Sequence, residues 1–528
     1  MKKHIKKCQI YQIEPFKFNN FHFKIIVDTI KLKILYLKNF LNSFNFKKDK
    51  IFYFSNGKLN FWVQDYFINE DVNLYSILIK KFKNKNFKDL SKQAENLNFN
   101  FLNSLTSTKS IFLTIKSHIR NIQNSFSKKK KSFVVFDYGH DISYLSKALK
   151  DQRLNLLHVN HLLHVNHFFE NNFSQNNEYY QIYKKILYNK KIKNFFRYKQ
   201  INFLNLINNF LKNLIVYQLP KAINIYEKTV NLCSNNNIVI ALTGSVNLGL
   251  LKRSSMHALQ SKNIPIITYT EGGGYGQFVS PIHHNEFSEG DILFSYGKGN
   301  LEYIKQLKLK KTKKIIPIGS QKQFLTYQKM KNFGFPKKIK KIMFINSYFN
   351  NNSFVIPFNG SGPCASLLSQ IKILDSLKKL SDKAKIYIKP HQNYILFKNL
   401  LTLKKYKTFR NLNGSLDQNL KNIDLFIINF PSTVLLDVLN TNAFIFFLGD
   451  KGSFKFTNQQ YLRLNSRAYL FQKLEKMENL LKLIIKNRKV LPYKKNISFR
   501  ENYSFSLKDK KPIIKALNVI DQLMLKKN

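Results

Sequence analysis

Four side chains in the second half of the chain have the types and the spacing of a diphosphate-binding site. Lys389 and His391 follow one predicted strand, and Ser432 and Thr433 follow another. A helix is predicted to begin at the Ser-Thr pair, so that its free N–H groups and the two hydroxyls could bind a phosphate oxygen. A lysine and a histidine at the same edge would offset diphosphate charge without a metal ion. Plain helix capping explains the Ser-Thr pair equally well.

A Gly-rich segment in the first half of the chain is a second candidate site. It follows a predicted buried strand and consists of Glu271, Gly272, Gly273, Gly274, Tyr275 and Gly276. Three consecutive glycines indicate that a ligand or another backbone approaches closely, and a tight structural turn is the alternative. Glu271 could accept a proton from a reacting hydroxyl, or it could only bind a backbone N–H or a lysine. The segment is not a dinucleotide-binding fingerprint, because Gln277 and Phe278 occupy the place of the third spaced glycine.

Four histidines recur at every third position in a tandem repeat of Leu-Leu-His-Val-Asn-His. They are His158, His161, His164 and His167. On a helix this spacing would place them roughly on one side, so a metal site is one interpretation. Local duplication is simpler, because only Glu170 joins the pattern as a further ligand. We therefore predict no bound metal ion, and no cofactor.

Predicted strands and helices alternate around both candidate sites. Short apolar runs typical of buried parallel strands span residues 238–243, 265–270, 291–295, 314–318, 341–345, 385–389, 425–428 and 443–447. Several end in turns with glycine or a hydroxyl residue, among them Tyr296-Gly297 and the pair Gly319 and Ser320. Open α/β sheets place ligands at the carboxyl ends of their strands. The sequence therefore predicts an α/β fold with two Rossmann-like domains that face each other across a cleft.

The predicted domain boundary is a Lys-rich stretch. We expect a first domain over residues 1–320, on the acceptor side of the cleft, and a linker over residues 321–340 that contains Gly334 and Pro336. A second, nucleotide-binding domain over residues 341–528 would end in closing helices near 461–486 and 512–526.

The first 130 residues carry no motif that indicates a function. Apolar runs predict strands at residues 25–27 and 51–54 and a helix over residues 101–122. A clearer strand is predicted at residues 132–137, and Tyr-Gly-His-Asp at residues 138–141 is typical of a loop at a strand end.

The chain of 528 residues carries a formal net charge of +57. A charge of this size suggests nucleic acid or an anionic membrane as a partner. Codons rich in A and T explain much of it, because lysines spread along the whole chain together with abundant Asn, Ile, Phe and Tyr. Only residues 128–131 form a tight lysine block, which suits a solvated loop better than DNA. We therefore predict no nucleic-acid partner and some attraction to anionic lipid head groups.

Cysteine spacing and hydropathy indicate the compartment. Cys8, Cys233 and Cys364 form neither a metal motif nor a disulfide framework, which favours a reducing cytosol. The basic start is not followed by the apolar core of a signal peptide, and no apolar run is long enough to span a bilayer. The sequence predicts a cytoplasmic protein and leaves open a peripheral association with the inner face of the cytoplasmic membrane.

The order of these motifs resembles GT-B glycosyltransferase-like proteins of bacterial surface-carbohydrate synthesis, for capsule or lipopolysaccharide, including the CDP-glycerol glycerophosphotransferase-like group. In that family a strand ends in a His-Gly loop, and later strands end in Trp-Gly or Tyr-Gly and in Gly-Ser. A Lys/Arg-Pro-His motif and a Ser-Ser or Ser-Thr helix start occupy the second domain. The matching segments are residues 271–276, Tyr296-Gly297, Gly319-Ser320, residues 389–391 and Ser432-Thr433. The resemblance covers residues 238–450.

The resemblance implies an inverting, metal-independent transfer of a sugar or a polyol phosphate from a nucleotide-activated donor to a glycan or lipid-linked acceptor. It implies that Lys389, His391, Ser432 and Thr433 bind the donor, and that the acceptor approaches Glu271. Glu271 stands where the family has histidine, which leaves open a carboxylate base or a non-catalytic relative. A basic nucleic-acid-binding protein is the alternative from another class, but the sequence contains no Arg cluster, recognition helix or RNA-binding aromatic motif.

Overall fold

The computed structural model describes part of the chain, and all structural statements below refer to these residues: 51–53, 59–63, 66–70, 87–89, 131–136, 139–158, 177–195, 197–198, 201–202, 204, 208–244, 250–270, 290–306, 314–346, 363–390, 401–412, 414–449, 456–487 and 491–525.

The strands of these residues are, in chain order, β1 (Ile51–Tyr53), β2 (Leu59–Val63), β3 (Tyr66–Glu70), β4 (Phe87–Asp89), β5 (Ser132–Val135), β6 (Asn155–His158), β7 (Arg197–Tyr198), β8 (Ile201–Asn202), β9 (Ile238–Thr243), β10 (Ile266–Tyr269), β11 (Ile292–Ser295), β12 (Lys314–Pro317), β13 (Lys341–Ile345), β14 (Lys385–Lys389), β15 (Arg410–Asn411), β16 (Leu425–Ile428), β17 (Phe444–Leu448) and β18 (Tyr469–Phe471).

The α-helices are α1 (His140–Asp151), α2 (Asn177–Tyr188), α3 (Lys190–Phe195), α4 (Asn208–Lys212), α5 (Leu219–Asn235), α6 (Leu250–Ser261), α7 (Lys298–Gln306), α8 (Gln321–Met330), α9 (Pro363–Lys378), α10 (Leu416–Asn419), α11 (Thr433–Leu439), α12 (Asn458–Asn465), α13 (Leu474–Asn487), α14 (Ser498–Tyr503) and α15 (Pro512–Leu525). A π-helical stretch, Asn213–Gln218, connects α4 to α5, and a 3₁₀ turn spans Lys404–Tyr406.

The chain divides into two compact units. The first comprises Met1–Ile122, Asn160–Asn235 and Leu248–Asn263, and the second comprises Gln123–Val159, Asn236–Asn247 and Ile264–Asn528. In the first unit, β1 pairs with β4 in parallel, while β2–β3 and β7–β8 are antiparallel pairs. Helices α5 and α6 of this unit are joined by a buried hydrogen bond of 2.9 Å between the hydroxyls of Thr229 and Ser255. The residues considered below as a functional site belong to the second unit.

The first of two six-stranded sheets in the second unit has the strand order β12-β11-β10-β9-β5-β6. Its strands are parallel throughout. Every residue of β9 is buried, as expected for a parallel strand covered on both faces. Numbered along the chain the order is 2-1-3-4-5-6, so the direction of winding reverses between β5 and β9.

The second sheet has the order β15-β14-β13-β16-β17-β18 and is also parallel throughout. Numbered along the chain this order is 3-2-1-4-5-6, which is the Rossmann order, and the reversal lies between β13 and β16. The runs Leu425–Ile428 and Phe444–Leu448 are buried over their whole length. Two parallel, helix-connected sheets confirm the predicted α/β class with two Rossmann-like parts, the class to which GT-B proteins belong.

A single hydrophobic cluster contains residues from both sheets. Phe294 of β11, Met343 of β13 and Phe426 of β16 all belong to it, and each is fully buried. Burial of one such side chain contributes about 1.5–3 kcal/mol to stability. The two sheets of the second unit are therefore held together by shared apolar packing as well as by the polar contacts described below.

The C-terminal segment packs on the first sheet although it follows the second in sequence. Helix α14 contacts α7, and α15 contacts α1 and α8. The Ser320 N–H donates to the Ser504 carbonyl at 2.8 Å, and Lys515 Nζ donates to the Pro317 carbonyl at 2.8 Å. Helices α12, α13 and α15 lie in the regions 461–486 and 512–526 for which closing helices were predicted, and strand β18 lies between α12 and α13.

Several predicted strands have the bounds that the structure shows, namely those at 238–243, 341–345, 385–389 and 425–428. The histidine repeat begins in a strand, because His158 ends β6. The apolar Leu156 and Leu157 pair with β5 and are buried, which favours the strand. The strand at 25–27 and the helix over 101–122 lie outside the described residues.

The stretch predicted as a linker begins with helix α8. Ser320 is its N-cap, and four of its side chains, those of Gln321, Gln323, Thr326 and Met330, are buried. The domain boundary at residues 321–340 remains a prediction. The first half of this stretch is helix α8.

Candidate functional site

The reversal point of the second sheet is the first place to look for a ligand site, because open α/β sheets bind ligands outside the carboxyl ends of the strands there. Ile345 ends β13 and pairs with Lys389 of β14 on one side and with Ile428 of β16 on the other. The ends of these three strands therefore lie in one row at the carboxyl edge of the sheet.

Lys389 brings a cation to this edge. Its side chain belongs to a residue only 8% exposed, and its Nζ lies 3.4 Å from the Leu412 carbonyl oxygen. Lys385, at the other end of the same strand, is exposed. A buried ammonium group is costly unless oxygen atoms or an anion surround it. Lys389 is thus the member of the predicted set that brings a buried cation to this edge.

Ser432 and Thr433 follow β16 and begin helix α11. The Ser432 hydroxyl accepts a hydrogen bond from the Val434 N–H at 3.3 Å, so Ser432 is the N-cap of the helix. Both hydroxyl residues are half-buried. Ser432 therefore caps the helix, as one of the two interpretations predicted. A role for either hydroxyl in phosphate binding remains a prediction.

In the first sheet the reversal point lies between β5 and β9, where Val135 pairs with Leu242. The chain leaves β5 at Phe136, and helix α1 begins at His140. His140 is exposed, whereas the next residue, Asp141, is buried. The first turn of α1 therefore lies at the carboxyl edge of the first sheet, with an imidazole outside and a carboxylate inside.

The Asp141 carboxylate joins three strand-end loops of the first sheet. Its Oδ2 accepts hydrogen bonds from the Tyr296 hydroxyl at 2.7 Å and from the Ser320 hydroxyl at 2.8 Å. Its Oδ1 accepts a hydrogen bond from the Lys322 N–H at 3.0 Å. Burial raises the pKa of Asp141, and these hydrogen bonds to the ionised form act in the opposite direction. Tyr296 and Ser320 belong to two of the segments that resemble the GT-B proteins, and both donate hydrogen bonds to this carboxylate.

Helix α8 connects this network to the second sheet. The Gln323 amide donates to Asp437 Oδ1 at 2.6 Å and accepts from the Asn440 amide at 2.7 Å. The Lys322 Nζ lies 3.8 Å from the same Asp437 oxygen. Burial raises the pKa of Asp437 to about 6, while the charge of Lys322 and the Gln323 hydrogen bond lower it. The first turn of α8 therefore contacts two buried carboxylates, Asp141 beside the first sheet and Asp437 beside the second.

Three glycines that follow strands β11 and β12 contact the C-terminal segment. A Cβ at Gly299 would lie 2.6 Å from the Tyr503 ring, and a Cβ at Gly297 would overlap the Asn502 backbone. Gly319 has a φ of +95°, which favours glycine, and a Cβ there would lie 3.2 Å from atoms of Phe505 and Pro512. At these three positions the close neighbour is therefore another part of the chain.

The predicted site residues fall into three groups. Lys389 ends β14, and Ser432 and Thr433 follow β16, so they lie on either side of β13 at the carboxyl edge of the second sheet. Ser320 binds Asp141, and Gly319 precedes it in the chain. The remaining predicted residues lie outside the described part of the chain: Glu271, Gly272, Gly273, Gly274, Tyr275, Gly276 and His391.

Sequence reasoning missed Asp141, Lys322, Gln323, Asp437 and Asn440. One signal was available for Asp437, an acidic residue inside the otherwise apolar helix Thr433–Leu439. No local signal exists for the partners of Asp141, because Ser320 and Lys322 lie about 180 residues further along the chain.

Within the described residues, no group of three or more His, Cys, Asp or Glu side chains is arranged to hold a metal ion. Of the predicted histidine repeat, only the backbone of His158 is included in that part of the chain. No helix among the described residues has the length and apolar character needed to cross a membrane.

Comparison with known proteins gives matches of structure and none of sequence. No protein-family model matches the chain, and no curated protein matches it either. MnaA from S. aureus, solved with UDP, matches with a TM-score of 0.42 and 12% identity, over 74% of this chain and 96% of that one. The UDP-GlcNAc 2-epimerase of Methanocaldococcus jannaschii, solved with UDP-GlcNAc and UDP, matches with a TM-score of 0.41 and 12% identity, over 74% and 99%. The wall teichoic acid polymerase TagF matches with a TM-score of 0.39 and 11% identity, over 79% and 99%.

All three TM-scores are below 0.5, so these matches carry no argument about this chain. At 11–12% identity the likeness concerns the fold alone. The function is therefore argued from the residues of this chain.

Proposed function

We propose that this protein is a transferase that moves a sugar or a polyol phosphate from a nucleotide-activated donor to a cell-surface glycan or lipid-linked acceptor. The transfer would be metal-independent and, for a sugar, inverting. The observation that carries the proposal is the buried Lys389, which ends a strand beside the reversal point of a sheet with Rossmann order.

The donor would bind at the carboxyl edge of the second sheet. The Lys389 ammonium group supplies positive charge, and helix α11, whose N-terminus carries the positive end of the helix dipole, follows β16 on the other side of β13. Together these groups suit the diphosphate of a nucleotide donor, whose leaving charge must be stabilised during transfer. His391 would add an imidazole by its position in the sequence, two residues after Lys389.

The acceptor would approach the first sheet. The sequence predicts Glu271 as the group that accepts the proton of the acceptor hydroxyl, and this residue follows strand β10 in the chain. The strongly basic composition, with a net charge of +57, would favour contact with an anionic membrane surface where a lipid-linked acceptor resides.

A thermal-shift screen tests the proposal directly. Nucleotide sugars and CDP-polyols would be added singly to the full-length protein, with inorganic tripolyphosphate as a control for charge alone. A donor that binds only the folded protein raises the melting temperature in a concentration-dependent manner. We expect one class of donor to exceed the tripolyphosphate control. Equal shifts with tripolyphosphate and with every donor would contradict a nucleotide-donor site.

A further inference from the structure

We propose that the His140 imidazole accepts the proton of the acceptor hydroxyl in this transfer. The inference rests on the proposed function and adds a group that the sequence analysis left without a role. Three observations carry it: the position of His140 in the first sheet, the way its backbone is held, and the charges around it.

The position of His140 is that of a ligand-facing residue. Helix α1 follows β5, and β5 is one of the two strands between which the first sheet reverses its winding. The carboxyl ends of such strands line the crevice in which α/β sheets bind ligands. His140 is exposed at this edge, whereas its neighbour Asp141 is buried. A reacting molecule at the edge can therefore reach the imidazole and not the carboxylate.

The backbone of His140 is held by its neighbour. Asp141 accepts hydrogen bonds from Tyr296, Ser320 and the Lys322 N–H at 2.7–3.0 Å. These donors come from two other strand-end loops of the same sheet, so the first turn of α1 is fixed at three points. A proton-accepting group requires this kind of support, because small displacements remove it from hydrogen-bond reach.

The charges around His140 come from both sheets. Burial of part of the ring is the largest effect and lowers the pKa of His140, and the charge of Lys322 on α8 lowers it further. The charges of Asp141 on α1 and Asp417 on α10 raise it. Asp417 lies on the segment between β15 and β16 of the second sheet. Helix α8 contacts both halves next to His140, because the Lys322 N–H binds Asp141 and the Gln323 amide binds Asp437. His140 therefore lies where the two halves approach each other. A donor on the second sheet and an acceptor on the first would meet in the same region.

Together these effects lower the pKa of His140, which suits a group that accepts a proton at neutral pH. The pKa of His140 is lowered from its ordinary value near 6.5, so the neutral ring predominates at neutral pH and has a free nitrogen lone pair. As the acceptor oxygen bonds to the donor carbon, its proton passes to this nitrogen. The bond from that carbon to the diphosphate oxygen breaks, and its electron pair leaves with the nucleoside diphosphate. With a polyol-phosphate donor the attack is at phosphorus, and the nucleoside monophosphate leaves.

The test combines donor binding with the pH dependence of turnover. For the wild type, kcat should rise with pH through the lowered pKa of His140 and become constant near neutrality. His140→Gln should lower kcat by about 10²–10⁴-fold and abolish this rise, while the donor-induced thermal shift persists. His257→Gln, a histidine substitution on helix α6 of the first unit, should keep the wild-type profile. Persistence of the thermal shift shows that each variant is folded.

Two charge variants test the assignment by the direction of their effects. Lys322→Met should move the rise in kcat to higher pH, because the Lys322 charge lowers the pKa of His140. Asp417→Asn should move it to lower pH, because the Asp417 charge raises that pKa. Opposite displacements of this kind would not follow from a merely structural role of His140.

The outcomes separate the two proposals. Absence of any donor-specific thermal shift in the wild type would overturn the transferase proposal, and this assignment with it. A retained shift with an unchanged pH profile in His140→Gln would overturn only the assignment of His140. Loss of the pH dependence in Glu271→Gln, with its retention in His140→Gln, would identify the sequence-predicted carboxylate as the base instead.

Discussion

The Tyr296 hydroxyl donates a hydrogen bond of 2.7 Å to the carboxylate of Asp141, 155 positions earlier in the chain. Tyr296 is 4% exposed and Asp141 is 3% exposed. The pair therefore connects the end of β11 to the start of α1 inside the protein, where water cannot replace a lost partner. This contact and its counterpart at Ser320 determine how the loops of the first sheet are arranged.

Tyr296→Phe should reduce the free energy of unfolding by about 1.5–3 kcal/mol, because a buried charged acceptor loses one donor. Denaturant unfolding measures this loss. Tyr406→Phe is the matched control, since its hydroxyl donates to Asp375, whose side chain is 47% exposed. Water can replace that hydroxyl, so we expect a smaller loss. Equal losses in the two variants would contradict a special role for the Asp141 contact.

Asp437→Asn should stabilise the protein at neutral pH. The pKa of Asp437 is raised to about 6 in the folded state by burial, whereas an unfolded aspartate titrates near 3.9. Its carboxyl group therefore favours folding below about pH 4, and this contribution is lost as the pH rises through 6. The amide keeps an oxygen for the Gln323 hydrogen bond and cannot ionise.

Unfolding free energies at pH 4 and pH 7.5 measure this effect. We expect a gain of about 3 kcal/mol at pH 7.5, from a pKa difference of about two units, and little change at pH 4. Asp382→Asn replaces an exposed carboxylate and should change neither value appreciably. A loss of stability at pH 7.5 in Asp437→Asn would show that the charged form is the one that the fold requires.

The sequence predicts the strands of the second sheet well because their determinants are local. Residues 425–428 and 444–448 are apolar throughout, and a buried parallel strand needs little else. The positions of Lys389 and Ser432 at strand ends follow from the same pattern. The partners of Asp141 could not be predicted, because they come together only when β5, β11 and β12 assemble into one sheet.

The start of the histidine repeat is a segment whose conformation is not determined locally. On a helix its three-residue period would place the histidines on one side, but Asn155–His158 pairs with β5 and forms a strand. Tertiary pairing and the burial of Leu156 and Leu157 decide the conformation there, so the local period does not. The apolar helix Thr433–Leu439 carried a usable signal in Asp437, since an acidic residue on a buried face requires a polar partner.

Replacement of Ser432 and Thr433 together by Ala should weaken donor binding by about 1.5–3 kcal/mol for each lost hydrogen bond to phosphate. It should also remove the cap of α11, which stabilises a protein by about 1 kcal/mol. Thr457→Ala separates these effects, because Thr457 caps α12 and has no proposed contact with the donor. Calorimetric titration with the donor should show weaker binding only in the double variant. Unchanged affinity in a folded double variant would remove the two hydroxyls from the site.

Transfer activity should persist after dialysis against EDTA. In the proposed site Lys389 and His391 supply the positive charge that a divalent cation would otherwise provide. The measurement is turnover before and after chelation, with added magnesium or manganese as the comparison. Activity that disappears on chelation and returns with either ion would require a different donor site.

The most direct measurement is the affinity of the donor for Lys389→Met compared with that for Lys385→Met. Both lysines belong to β14, but Lys389 lies at the carboxyl edge and is buried, whereas Lys385 is exposed at the opposite end. Titration calorimetry of both variants with the donor found in the screen should give wild-type affinity for Lys385→Met. For Lys389→Met we predict a loss of roughly tenfold to a hundredfold, the equivalent of one hydrogen bond to a charged group. Equal affinities in the two folded variants would contradict a donor site at this edge of the sheet.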